Sequence, residues 1–420
     1  MSTRWIFIRP KEPLIIGRVK PKTNFIGTMD YIPGRILRGA YAEWLISRGE
    51  THRIIDAVDG VLFGNFLPTA LWGKIDYVSP FLLSMLTCKL EDGFKTEPHD
   101  ENRGHGVVDT LLPRLCCSLL KKSGAALSVP FSILCQSIKD KDEEEIKQTP
   151  CNSRMEPASG FFSSQRNNNT QRYIKTRLRY YSQTRAALSR YRQSAFEGML
   201  YTATAISPLL EDPEKKYGDD ADLAFTGRIQ GPEEKVDEIV EALNGRSIGS
   251  MNTRGYGRIR CEDESIRIPP LEDRLRRFNE TLKELWQDLK RLCSSQSIPE
   301  QPVGLYFSVD LLAPGIFRDE HGLPTLVPTL KIRGKPLKPV FCMTRPDFAG
   351  GWSGAWGLPK ETALAAKMGS SFVFCWDGSK DDLLADLERI ESEGISDERR
   401  DEGYGECLVC HPFHEEVNER

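Results

Sequence analysis

The two halves of this 420-residue chain end in the same pattern, and this repetition limits the folds open to it. In each half, a predicted helix is followed by a glycine, a loop and a short predicted strand. The first loop contains RGYGR at residues 254–258, and the second contains EGYGE at residues 402–406. An internal repeat of about 150 residues indicates that one supersecondary unit occurs twice.

The predicted elements of the first half follow the order β-α-β-β-α-β when the stretch before its second strand is set aside. This order is typical of a ferredoxin-like module. Its elements are strands at 5–8, 198–206, 223–229 and 258–261 and helices at 33–48 and 233–243. The second half has predicted strands at 304–312, 371–376 and 406–410 and a helix at 381–390.

We therefore predict an α+β fold of two ferredoxin-like (RRM-like) modules with glycine-rich loops. Residues 1–265 form the predicted N-terminal module, which has a large irregular insertion at about 80–195. A linking helix lies within residues 266–300, and residues 301–420 form the predicted C-terminal module.

Positive charge is concentrated in one segment of an acidic chain. The net charge is −3, yet residues 157–196 contain eight arginines and lysines and no aspartate or glutamate. Four tyrosines are interleaved with these cations, including Tyr181 and Tyr191. Arginine binds phosphate through its planar fork, and tyrosine rings stack on unpaired bases. The segment predicts a polyanion site, with a solvated basic helix or hairpin as the alternative.

The first glycine loop and the first helix carry further candidate cations. Glycine residues in the loop allow positive φ and the close approach of a ligand. Two arginines near the start of the 33–48 helix are opposed by the helix dipole, which makes a bound anion favourable there. The candidate RNA-binding residues are Lys20, Lys22, Arg35, Arg38, Arg177, Arg179, Arg185, Arg190, Arg192, Gly249, Arg254, Gly255, Tyr256, Gly257 and Arg258.

Several short motifs resemble those of one protein family. The run IPGRILRGA at 32–40, followed by two glycine-loop terminations, resembles the RAMP superfamily of CRISPR-associated proteins. The blocks RQSAFEGMLY at 192–201, WGLP at 356–359 and ERRDEGYG at 398–405 are similar to the large two-domain RAMP subunit of type III-D effector complexes. The resemblance extends from about residue 23 to residue 414.

This resemblance implies a non-catalytic, cytoplasmic subunit of an antiviral effector complex that binds the single-stranded 5′ handle of the crRNA. Its implied protein partners are the large polymerase/nuclease-type CRISPR subunit and an adjacent backbone RAMP subunit. A second hypothesis is a RAMP endoribonuclease that cuts crRNA precursor or target RNA with Asp30 or His52. A third is a protein-only scaffold whose basic segment docks an acidic partner.

Eleven cysteines in a chain without an export signal are expected to be reduced thiols or metal ligands. No cofactor is expected to be required, but Cys88, His105, Cys135 and Cys151 predict a tetrahedral structural zinc site in the insertion. A block around Cys88 and His105 also resembles the same subfamily. Cys135 and Cys151 are separated by fifteen residues where the resemblance implies a close pair.

Overall fold

The computed structural model describes residues 2–17, 25–95, 104–125, 133–139, 149–167, 170–189, 191–210, 222–293, 298–353 and 357–415. Its helices are α1 (Gly34–Ser47), α2 (Ile54–Val58), α3 (Leu111–Lys122), α4 (Glu233–Leu243), α5 (Leu271–Arg291) and α6 (Lys380–Glu393). Short 3₁₀ helices lie at Thr51–Arg53, Asn252–Arg254, Arg400–Glu402 and Pro412–Glu415. No helix of these described ranges is long and apolar enough to cross a membrane.

The strands of the first half are β1 (Ser2–Pro10), β2 (Phe25–Ile26), β3 (Leu62–Phe63), β4 (Leu67–Ala70), β5 (Lys74–Pro80), β6 (Met85–Cys88), β7 (Val107–Asp109), β8 (Ile138–Lys139), β9 (Thr149–Pro150), β10 (Met155–Pro157), β11 (Phe161–Asn167), β12 (Thr170–Thr176), β13 (Leu178–Ser189), β14 (Ser194–Leu210), β15 (Leu223–Gly231) and β16 (Ile259–Glu264). Those of the second half are β17 (Leu305–Leu311), β18 (Phe317–Arg318), β19 (Pro324–Thr325), β20 (Leu330–Ile332), β21 (Lys335–Leu337), β22 (Phe341–Met343), β23 (Pro346–Ala349), β24 (Trp352–Ser353), β25 (Leu358–Pro359), β26 (Ala363–Ala366), β27 (Ser371–Trp376) and β28 (Cys407–Val409).

An antiparallel sheet in the order β16-β1-β15-β3 forms the centre of the first half, and β4 also pairs with β15. Helices α1 and α4 place one apolar side each against it, because their buried residues recur at helical spacing. Leu37 and Tyr41 of α1 and Ile239 of α4 share one buried cluster with Ile8 and Phe225 of the strands. The mixed α and β composition and the antiparallel pairing confirm the predicted α+β class.

A second antiparallel sheet, in the order β22-β27-β17-β28, forms the centre of the second half. Helix α6 connects β27 to β28, as α4 connects β15 to β16. Leu383 and Leu387 of α6 are fully buried with Phe307 and Phe374 of the sheet. The repeated glycine loop therefore occupies the same position in both halves, between the last helix and the last strand.

Helix α3 belongs to the predicted insertion of the first half but packs into the second half. Leu115 and Leu120 of α3 are fully buried in one cluster with Phe278 and Leu282 of α5 and with the second sheet. The Cys116 thiol also donates to the carbonyl of Leu282, at 3.7 Å. The core of the second half is thus completed by a helix from far upstream in the chain.

Two expectations about strands were wrong. The strand predicted at 198–206 is part of β14, which pairs with β13 and β2 in a separate sheet. On the edge of β15 that faces away from β1, its partners in the central sheet are β3 and β4 instead. The stretch at about 80–195 is not irregular either, because it contributes to the β10-β6-β7, β12-β11-β5 and β13-β14 ladders.

Candidate nucleic-acid interface

The two glycine loops follow the same backbone path. In the first, the Ile248 N–H donates to Gly257 O at 2.9 Å, and the Gly257 N–H donates to Pro13 O at 2.9 Å. In the second, the Ile395 N–H donates to Gly405 O and the Gly405 N–H donates to Pro314 O, both at 2.9 Å. Each loop contains one turn of 3₁₀ helix preceded by a residue in the left-handed region.

Glycine is required near the end of each loop, where the chain passes close to the backbone at the start of the same loop. Gly257 has φ of 92°, and a Cβ there would lie 2.3 Å from the carbonyl oxygen of Ile248. Gly405 has φ of 74°, and a Cβ there would lie 2.2 Å from the backbone nitrogen of Ser396. Both positions combine a left-handed conformation with a close backbone contact, which only glycine accommodates.

The second loop is docked against the first half of the chain. The N–H of Asn65 donates to the Glu406 carboxylate at 2.9 Å, and the Asn65 side-chain amide donates to Gly403 O at 2.6 Å. Arg228 donates to the same Glu406 carboxylate at 3.1 Å. These contacts fix the second loop inside the protein, between the end of β3 and α1.

Arg38 obtains its anion from this docked loop. Its guanidinium lies 3.1 Å from Asp401 and 3.9 Å from Glu402. The predicted need for an anion near the start of α1 is therefore met within the chain. Burial opposes ionisation of Glu402, but Lys360 and Arg399 hold the pKa of this carboxyl below its ordinary value.

The first loop has the same path but the opposite charge. Counted from the last glycine of each loop, Arg254 stands where the second loop has Glu402, and Arg258 stands where it has Glu406. Arg254 and Arg258 are exposed. Neither has a carboxylate partner in the part of the chain that the structure describes. The first loop thus carries exposed arginines without acidic partners among the described residues, whereas the second loop uses its carboxylates in contacts within the chain.

The β13–β14 hairpin lies against the first loop. The Tyr256 hydroxyl donates to the Gln183 side-chain oxygen at 3.0 Å, and Arg185 donates to the same oxygen at 2.6 and 2.9 Å. The Arg185 guanidinium also lies 5.6 Å from the centre of the Tyr256 ring. Arg254 donates to the Tyr201 hydroxyl of β14. We call these five connected residues the loop–hairpin surface.

The β13–β14 hairpin also carries exposed aromatic rings and arginines. The exposed fractions are 47% for Tyr180, 49% for Tyr181 and 97% for Tyr191. Arg179 and Arg192 are also exposed on the hairpin. The arrangement combines cations for phosphates with rings for unpaired bases, which is the composition of single-strand binding surfaces.

The remaining predicted contact residues lie elsewhere. Arg35 lines a cleft of about 1090 Å³ between the two halves, 3.4 Å from the Tyr404 hydroxyl. Arg177 donates to the Asp92 carbonyl and carboxylate at 2.9 and 3.2 Å. Lys20, Lys22 and Arg190 lie outside the described residues. The structure therefore brings Arg185, Arg254 and Tyr256 together but not the whole predicted set.

The two residues of the nuclease hypothesis lie in different surroundings. Asp30 borders the cleft between the halves. His52 is exposed in a 3₁₀ turn, and its side chain makes no hydrogen bond or ion pair within the described ranges. A general base in a ribonuclease needs a positioned orientation, and His52 has no neighbour in those ranges that supplies it.

The four predicted metal ligands converge. One ligand atom from each of Cys88, His105, Cys135 and Cys151 lies within 4.8 Å of the other three. The cluster is in the insertion, apart from the loop–hairpin surface.

Sequence reasoning missed a buried charge network. Nδ1 of His414 is hydrogen-bonded to Asp109, and its Nε2 lies 2.9 Å from Asp310; all three side chains are at most 2% exposed. Burial alone would lower the pKa of His414, but the two carboxylates raise it to about 10. Burial and the charge of His414 lower the pKa of the neighbouring His411 to about 3. The only sequence signal of this network was the compact CLVCHPFH run at 407–414, which contains both histidines but neither aspartate.

No protein-family model matches the sequence, and no curated protein sequence matches it. Among solved structures, the chain is similar to one in a type III-B Cmr-beta complex bound to cognate target RNA: identity is 11% over 94% of this chain and 91% of that chain, with a TM-score of 0.39. It is also similar to a chain in the Csm3–Csm4 subcomplex of a type III-A CRISPR-Cas interference complex: identity is 13% over 90% and 95% of the two chains, with a TM-score of 0.33. Both are structures of type III CRISPR complexes.

Proposed function

We propose that this chain is a non-catalytic subunit of a type III-D-like CRISPR effector complex and that it binds the 5′ handle of the crRNA. Its RNA-contacting site is the loop–hairpin surface with the flanking Arg179, Tyr181, Arg192 and Arg258. The proposed protein partners are the large polymerase/nuclease-type subunit and the adjacent backbone RAMP subunit. The motifs in both halves of the sequence support an assembly of this kind.

The proposal depends mainly on the charge difference between the two glycine loops. Glu402 and Glu406 are engaged with cations of the same chain, whereas Arg254 and Arg258 have no acidic partner in the described residues. Exposed arginines beside tyrosine rings and beside glycine-loop N–H groups suit a flexible phosphate backbone with unstacked bases. A double-stranded ligand would leave the tyrosine rings without bases to stack on.

Two ferredoxin-like modules are part of this proposal. The first module is proposed to comprise β1, α1, β3 with β4, β15, α4 and β16, and the second β17, β22, β27, α6 and β28. The equivalent sheet orders support it, because each runs fourth, first, third and second strand across the sheet. In the second module, the place of a helix between the first two strands is taken by the β18–β21 hairpins.

The proposal is tested by fluorescence anisotropy of the full chain with labelled single-stranded RNA across a salt series. One RNA carries the repeat-derived handle, and the other has a scrambled sequence. We expect preference for the handle and a log–log salt slope of about 0.7 for each phosphate that the chain neutralises. Arg254→Gln and Arg258→Gln should each lower the slope, and together they should weaken binding about tenfold at low salt.

Arg291→Gln is the matched control, because Arg291 is exposed on α5 and lies 3.3 Å from Asp288. It should leave both the affinity and the slope unchanged. Equal behaviour of the three variants, or no binding of the wild-type chain at low salt, would contradict the proposed site. A denaturing gel of the recovered RNA should show intact strands; cleavage would instead favour the nuclease hypothesis.

A further inference from the structure

The four clustered ligands come from three separate backbone segments that hydrogen bonds hold in register. Cys88 ends β6, which pairs with β10 so that Cys88 lies opposite Met155. The His105 N–H donates to Glu91 O at 3.0 Å, which places His105 beside the turn that follows β6. The cluster is therefore built by backbone pairing rather than by side chains that happen to meet on a surface.

Antiparallel backbone pairing brings together the two remaining cysteines, Cys135 and Cys151, which are separated by fifteen residues in the sequence. The Cys135 N–H donates to Ser153 O at 2.8 Å, and the Cys151 N–H donates to Ser137 O at 2.7 Å. Strands β8 and β9 continue the same pairing. This pairing brings Cys135 and Cys151 as near to each other as a close sequence pair would.

The ligand geometry fits a tetrahedral thiolate site. Zn–S bonds of about 2.3 Å in a tetrahedron separate two sulfur atoms by about 3.8 Å. The sulfur atoms of Cys88 and Cys151 are 3.9 Å apart. A disulfide would require about 2.0 Å, so this separation excludes an oxidised pair and matches that of two ligands of one tetrahedral ion.

His105 provides an independent indication of a ligand. Its Nδ1 is buried and has no hydrogen-bond partner among the described residues. A buried ring nitrogen without a partner is unfavourable, and a metal ion held by the three cysteines and this imidazole would satisfy it. Three sulfurs and one imidazole nitrogen form a set that closed structural zinc sites use.

The position of the cluster suggests what the ion does. His105 precedes β7 and α3, and Cys135 follows them. The Ser137 hydroxyl donates to His105 O at 2.6 Å. The two ends of the segment that contains β7 and α3 therefore meet at the cluster. We propose that Cys88, His105, Cys135 and Cys151 bind one Zn²⁺ ion, and that the ion clamps both ends of the segment whose helix α3 completes the core of the second half.

Metal analysis of the purified full chain tests the first part of this proposal. We expect about one zinc per chain, and we expect Cys135→Ser and Cys151→Ser each to lose most of it. Cys342→Ser is the control, because Cys342 is an exposed thiol on β22 outside the cluster. Cys151→His replaces the thiolate with an imidazole nitrogen, which also binds zinc, and should retain the ion; this separates removal of a ligand from general misfolding.

Amide hydrogen exchange of Leu111–Lys122 tests the second part. Removing the ion with a chelator should raise the exchange rates of α3 at least tenfold, and added zinc should restore them. Absence of zinc from wild-type protein expressed with zinc, or retention of zinc by the Cys135→Ser/Cys151→Ser double variant, would overturn the site. Equal exchange of α3 with and without the ion would overturn its clamping role.

Discussion

Replacing His414 with glutamine should reduce the free energy of unfolding by about 3–5 kcal/mol. The imidazolium is fully buried between Asp109 of the insertion and Asp310 of β17. Without it, two buried carboxylates face each other with no cation between them. Removing one partner of a buried charge network leaves the other charges uncompensated, and this is the origin of the large effect.

The raised pKa of His414 gives a second magnitude for the same interaction. A pKa raised from its usual 6.5 to about 10 corresponds to about 5 kcal/mol, at roughly 1.4 kcal/mol for each pH unit. Because the folded-state pKa is the higher one, this stabilisation is fully present below about pH 6.5. It decreases progressively as the pH rises toward 10. Burial raises the pKa of Asp310, but the charge of His414 and the other contacts of this carboxyl together lower it by more, so the folded-state pKa is below the ordinary value. The stabilisation from this carboxylate is therefore lost only when the pH falls low enough to protonate it.

Urea unfolding followed by circular dichroism at several pH values between about 6 and 10 measures both effects. The wild-type chain should become less stable across this range, and His414→Gln should start lower and change less. His321→Gln is the matched control, because His321 is exposed and lies 3.9 Å from an exposed Glu320. A cost for His414→Gln no larger than that of His321→Gln, or a flat wild-type profile above about pH 6.5, would refute the reasoning.

Three further substitutions, two of them with a matched control, test other contacts by thermal or urea unfolding. Gly257→Ala should cost roughly 1–3 kcal/mol, because its Cβ meets a backbone oxygen at 2.3 Å; Gly255→Ala, which has open space, should cost only about 1 kcal/mol. Asn65→Ala should cost roughly 1–3 kcal/mol and speed amide exchange in the docked second loop. Leu115→Ala should cost about 2–5 kcal/mol, whereas Leu292→Ala, at a 68% exposed position, should change little.

Elements with clear periodicity could be predicted from the sequence, whereas strand partners could not. Helix α4 and strand β27 have the predicted bounds, because their apolar residues repeat at 3.6 residues or form one short buried run. The sequence favours the long β14 as the partner of β15, because β3 and β4 are short. Gly64 directly follows β3, and Pro68 lies within β4, so neither segment has the pattern of a regular strand. Periodicity identifies a strand but does not say which sheet it joins.

The residue types of the candidate site could be predicted from the sequence, but the contacts between its side chains could not. The excess of arginine at 157–196 and the loop glycines pointed to the hairpin and the first loop. That Arg38 meets Asp401, and that His414 meets Asp109, depends on contacts between residues hundreds of positions apart. The four candidate metal ligands could be proposed from residue type and from the resembling block around Cys88 and His105, whereas only the backbone pairing explains how Cys135 reaches Cys151.

The position of α3 has a consequence for synthesis of the chain. Leu115 and Leu120 leave the ribosome long before the β17 and β27 strands that they are buried with. At about 5–20 residues per second, the delay between α3 and β17 is on the order of ten to forty seconds. Until α5 emerges, the apolar side of α3 has no native partner from this cluster, which exposes it to chaperones and to aggregation. A ribosome that pauses within residues 123–304 would prolong this exposure, so slow codons there should lower the yield of folded protein more than slow codons after residue 376.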